Sequence, residues 1–141
     1  MMMDSFNIQV GDGYSLRKVI RKEDAALNYG NGKVDNLLAT PSMVALMMEA
    51  ACKLLDEKIP SGCVSVALKA DVIHTNPTLM GSVVTVDIRV RDITGHKVDM
   101  DFVVSDEAGE IGKGTHERVV VERDKLMRKA RERALSYLEI N

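Results

Sequence analysis

Residues 41–57, Pro-Ser-Met-Val-Ala-Leu-Met-Met-Glu-Ala-Ala-Cys-Lys-Leu-Leu-Asp-Glu, restrict what this chain can become more than any other segment. They are good helix formers with no internal glycine. Met43, Val44, Leu46, Met47, Met48, Ala50, Ala51 and Leu54 place apolar groups on nearly every side of the helix they predict. A helix apolar all round has to be wrapped, and since a single small sheet covers it poorly, a dimer whose two sheets join or abut is expected. Thr40 is expected as the N-cap, its hydroxyl accepting an orphan backbone N–H. Pro41 then takes the first helical position, where its missing N–H costs nothing.

The cover is supplied by strands. Val64, Val66, Leu68, Ala70 and Val72 alternate strictly and predict one apolar face, ended by Pro77. Val84, Val86, Ile88 and Val90 repeat the period, with Thr85, Asp87, Arg89 and Arg91 on the other face. After Thr94-Gly95 come Val98, Met100, Phe102 and Val104; after Glu107-Ala108-Gly109 comes a last strand over 110–121, interrupted by Gly112 and Gly114. These short connections make antiparallel neighbours. Residues 14–22 read as a first strand, and 23–38, with turn formers Gly30, Asn31 and Gly32, as a long irregular segment and candidate lid. Residues 123–140 place Leu126, Ala130, Ala134, Tyr137 and Leu138 on one stripe of an amphipathic helix. Periodicity alone therefore gives an α+β class with a buried helix.

With 141 residues and no repeat, linker or low-complexity tract, the chain reads as one domain spanning 1–141. A net charge of -2 argues against a nucleic-acid-coating or membrane-seeking protein. Cys52 and Cys63 lack metal or redox spacing, and neither a signal-like opening nor an apolar run of about 18 residues is present, so a cytoplasmic protein with reduced thiols is expected. The C-terminal helix carries Arg123, Lys125, Arg128, Lys129, Arg131 and Arg133, but Glu122, Asp124 and Glu132 dilute them; a solvated face is a better reading than nucleic-acid binding.

Few residues offer chemistry. His74 continues the parity of Val64 to Val72 and should face the helix, either as a core histidine bonded to a carbonyl or as a pocket imidazole able to move protons. Thr40 has its structural duty as a cap. The helix start also offers free N–H donors from Ser42, Met43 and Val44, suited to a developing oxyanion. Glu49 is the single acid in the apolar part of the helix, either paired at a rim or contact, or working. His96 belongs to a hairpin turn, and His116 sits in a strand with either a core or a functional role open to it. Three scattered histidines match no metal-ligand spacing, and Gly11-Asp-Gly13 and Gly112-Lys-Gly114 lack the strand–loop–helix setting of a phosphate cradle.

The segments Val34-Asp-Asn-Leu-Leu-Ala-Thr-Pro-Ser-Met-Val-Ala-Leu-Met-Met-Glu-Ala-Ala, His74-Thr-Asn-Pro-Thr-Leu-Met-Gly and Ile111-Gly-Lys-Gly-Thr-His-Glu-Arg resemble the fluoroacetyl-CoA thioesterase-like branch of the hot-dog superfamily, over about 10–126. The resemblance implies a curved sheet wrapped around the helix. It also implies hydrolysis of a small acyl-CoA by a threonine, a glutamate and a histidine, without a cofactor or metal, in a pocket shared across a homodimer that could pair further into tetramers. Thr40 and His74 match directly, and Ser42, Met43 and Met48 fall in the implied substrate-binding region. The family's glutamate aligns with Met48, while Glu49 stands one residue later, a turn of roughly 100° around a helix. Two functions follow as alternatives: a thioesterase with Thr40, His74 and a displaced Glu49, or a protein that holds acyl-CoA with little or no turnover. The methionine-rich, tryptophan-free core suits a flexible acyl group in either case.

Overall fold

The computed structural model describes residues 6–138 apart from Asn31 and Asp35. Its elements are β1 (Gly13–Val19), α1 (Thr40–Leu55), β2 (Cys63–His74), β3 (Val83–Thr94), β4 (Lys97–Asp106), β5 (Gly109–Glu122) and α2 (Arg123–Leu138), with short 3-10 turns between β1 and α1 and after α1. The strands form one antiparallel sheet in the order β1-β3-β4-β5-β2. Val84, Val86, Ile88 and Val90 of β3 and Val98, Met100, Phe102 and Val104 of β4 all lie buried against α1, as their alternation predicts. From α1 they receive Met43, Leu46, Met47, Ala50, Ala51, Leu54 and Leu55. No helix among the described residues is long and apolar enough to cross a membrane.

Four expectations change. First, α1 is not covered on every side: Pro41, Ala45 and Glu49 are exposed and Val44, Met48 and Cys52 half-buried, because the sheet wraps one side of it and none of the described residues covers the other. Second, β2 does not keep one phase. Its pairing with β5 shifts between Ala67 and Lys69, so Val64 and Val66 point to the outer face while Ala70, Val72 and His74 point to the helix. Third, Thr40 is not the N-cap. Ala39 holds that place, since the first helical bond runs from Met43 N to Ala39 O at 3.0 Å, and Ala39 is held one residue early by its own amide on Asp24 O at 2.8 Å. Fourth, α2 continues straight from β5 and fully buries none of its described residues: along its apolar stripe Leu126 and Ala134 are half-buried, while Tyr137 and Leu138 stay largely exposed. Ile140 and Asn31, placed by sequence in that helix and in a turn, lie outside the described residues.

The glycines of β5 are close-approach residues. A side chain on Gly112 would stand 2.8 Å from the end of Met43, and one on Gly114 would collide with Asp71 O. Their absence of Cβ lets the first turn of α1 and the second half of β2 close onto β5.

Candidate active site

Freed from capping, the Thr40 hydroxyl finds another partner. Thr40 Oγ1 lies 2.7 Å from His74 Nδ1, bringing together the first turn of α1 and the last residue of β2 across 34 positions of sequence. Both ends are fixed by backbone. Leu38 N donates to Thr78 O at 2.8 Å, tying the approach to Thr40 to the chain leaving His74. Thr75 N and Asn76 N both donate to Ile111 O, and Asn76 Nδ2 donates to Glu110 O, which anchors that exit to β5. Beneath the pair, His74 stands opposite Gly112, where Met43 fills the space a side chain would take.

The pair opens on a cavity of about 280 Å³ lined by Ala26, Val34, Leu37, Ala39 and Pro77 besides Thr40 and His74. Residues expected to form a lid therefore do line the site. The second ring nitrogen, His74 Nε2, is buried and has no protein partner among the described residues. A larger hollow of about 640 Å³ lies on the outer sheet face between Tyr14, Asp87, Arg89 and Asp101. It carries the Arg91–Asp101 ion pair and the Ser15 hydroxyl bonded to the Asp87 carboxylate, but no imidazole, whereas the smaller cavity pairs a hydroxyl with a histidine.

Not all the expected residues converge. Ser42 is buried in the first turn, where no preceding helical carbonyl takes its amide. Met43 is fully buried and its amide is already given to Ala39 O, which removes it from the expected oxyanion donors. Met48 is half-buried and packs on the core; Glu49 is exposed on the uncovered side of α1. Neither lines the cavity with Thr40 and His74. No group of three or more His, Cys, Asp or Glu among the described residues could hold a metal.

His116 and Arg118 are more deeply placed than their sequence setting suggests. They share the helix-facing parity of β5 with Gly112, Gly114 and Val120, a signal that could have located both. His116 is 0% and Arg118 6% exposed. Desolvation, helped by the Arg118 cation and opposed by the bond to Lys69 O, holds the His116 imidazole below its ordinary value of 6.5. Unfolding restores that value, so the unfolded chain takes a proton that the folded chain resists. Stability from this group is complete above the ordinary value and falls as pH drops below it. The melting temperature is expected to fall between about pH 7.5 and 5.5, and His116→Asn should flatten that slope. Equal slopes for the two proteins would contradict this.

The curved sheet around a central helix, with a threonine–histidine pair at the helix start, defines a hot-dog-fold protein. The family model for the fluoroacetyl-CoA-specific thioesterase matches residues 20–124, and the chain belongs to that family. It is 33% identical over 97 residues to the fluoroacetyl-CoA thioesterase of Streptantibioticus cattleyicolor, covering 69% of this chain and 70% of that one. Among solved structures it is similar to a hot-dog-like protein from Thermanaerovibrio acidaminovorans, with a TM-score of 0.83, 29% identity and coverage of 88% and 91% of the two chains. A variant of the fluoroacetyl-CoA enzyme in complex with acetyl-CoA matches with a TM-score of 0.84 at 26% identity, over 89% of this chain and 98% of that one.

Proposed function

We propose that this protein hydrolyses small acyl-CoA thioesters at Thr40 and His74. The observation that carries the reading is the 2.7 Å contact between Thr40 Oγ1 and His74 Nδ1 at the start of a helix. Water held by the Thr40 hydroxyl attacks the thioester carbonyl. Its proton passes through that hydroxyl to Nδ1, and the departing CoA thiolate recovers it from the imidazolium. The Ser42 amide and the positive end of α1 receive the oxyanion. Acetyl-CoA bound to a family relative supports the substrate class. The testing assay is thiol release from a panel of acyl-CoAs by wild type and by His74→Ala, in which loss of release in the variant alone supports the assignment.

The working unit is a homodimer. β2 is an edge strand whose Ala67, Leu68, Lys69, Ala70, Asp71 and Ile73 are exposed, and the uncovered stripe of α1 runs through Pro41, Ala45, Met48 and Cys52. An unpaired edge beside an uncovered apolar helix face suits a second copy. Position 48 is also about 12 Å from Thr40 along α1, so a carboxylate there reaches a Thr40–His74 pair only from another chain. Sedimentation at micromolar concentration should give a dimer; a stable monomer would contradict the shared pocket. A second reading, binding of acyl-CoA without turnover, draws on Met48, a thioether where the family pattern places a carboxylate.

A further inference from the structure

β2 aims His74 at Thr40 only because of a single irregularity. Through Ala67↔Arg118 the pairing with β5 is regular, and it resumes at Lys69↔Glu117 through His74↔Gly112, leaving Leu68 as an extra, bulged residue. Side chains alternate along a strand, so each extra residue exchanges the two faces for everything after it. Paired without the bulge, the same sequence would set Ile73 opposite Gly112 and turn His74 to the outer face, away from Thr40. Leu68, on the edge proposed to meet a second copy, is 57% exposed in the single chain, so packing of its side chain within the chain does not account for the bulge.

What brackets the bulge is on β5. Arg118 Nη2 donates to Ser65 O at 2.8 Å and Nε to Ser65 Oγ at 3.0 Å, on one side of Leu68. His116 Nδ1 lies 2.8 Å from Lys69 O on the other side. A guanidinium can only donate, so the 3.2 Å contact between Arg118 Nη1 and His116 Nε2 makes Nε2 the acceptor. The ring proton therefore sits on Nδ1 and is donated to Lys69 O. One chain of bonds thus runs from Ser65 through Arg118 and His116 to Lys69, spanning the bulge. We infer that His116 and Arg118 are positioning residues: they clamp the bulge at Leu68 and so set the strand phase that points His74 at Thr40.

This inference rests on the reading of Thr40 and His74 as the reacting pair, and its test has a readout independent of turnover. His116→Leu removes the donor to Lys69 O and is expected to lower kcat by about 10²-fold with KM little changed, the size typical of a small misplacement of a reacting group. His116→Asn, which keeps an N–H at the Nδ1 position, should retain most of it. Deleting Leu68 leaves residues 69–74 in their present register with no bulge to hold, so the deletion variant should stay active and lose far less on His116→Leu. In nitrogen-15 histidine spectra, the His74 Nδ1 signal that reports the Thr40 bond should change in His116→Leu and return when Leu68 is also deleted. An equal loss of kcat in both backgrounds, or a His74 signal unmoved by His116→Leu, would overturn the inference. If the deletion variant fails to fold, the His74 signal in His116→Leu against His116→Asn decides alone. A wild type inactive on every acyl-CoA would remove the reaction and leave the His74 signal as the test of the clamp.

Discussion

Replacing His74 by alanine should lower kcat/KM for an acyl-CoA substrate by about 10² to 10⁴, the usual value of a positioned general base, and leave the melting temperature nearly unchanged. The asymmetry follows from where the ring sits. His74 is half-buried at the end of an edge strand, with one nitrogen on a threonine hydroxyl at the cavity and the other bonded to no group among the described residues. His116, by contrast, is enclosed, and both its nitrogens are spent on protein. His116→Ala should cost stability, because Lys69 O and Arg118 Nη1 lose their buried partner at about 1–3 kcal/mol. Thermal melts and initial rates on both variants check the contrast. Equal losses of melting temperature and rate in His74→Ala would make that ring a structural histidine.

Met48→Glu should raise the hydrolysis rate by about 10² to 10⁴ by supplying the carboxylate that the family pattern has at this position, and Glu49→Gln should change it little. α1 runs unbroken from Thr40 to Leu55 as an α-helix, so no local bulge brings Glu49 round to the face of Met48. Glu49 is solvent-exposed in the single chain, whereas Met48 lies half-buried against the core. A carboxylate at 48 pays a desolvation cost, which partial exposure keeps small. Both variants are assayed on one substrate panel. Abolition of turnover by Glu49→Gln, with Met48→Glu only destabilising, would assign the base to Glu49 instead.

Much of this was legible from residue order. The periods of β3 and β4 and the apolar density of α1 fixed the core, since a buried face writes itself as alternation or as a helical stripe. Thr40 and His74 were visible through motif resemblance. β2 misled because its unbroken run Val64 to Val72 carries no mark of the bulge: the reason for it lies 50 residues away, in the side chains of His116 and Arg118. The cap misled because Ala39 takes it through a backbone bond to Asp24, which no local preference encodes. The exposed side of α1 and the largely exposed stripe of α2 show what periodicity leaves open. An apolar pattern states that a face needs cover and not which chain provides it.

The most direct measurement of the central assignment is the initial rate of CoA release from acetyl-, fluoroacetyl-, branched and aromatic acyl-CoAs by wild type, Thr40→Val and His74→Ala, side by side. Wild type should release CoA above the uncatalysed rate from at least one small acyl-CoA, and each variant should lose most of that rate while melting as wild type does. Release unaffected by either substitution, or no release by wild type from any substrate while calorimetry detects CoA binding, would contradict hydrolysis at Thr40 and His74.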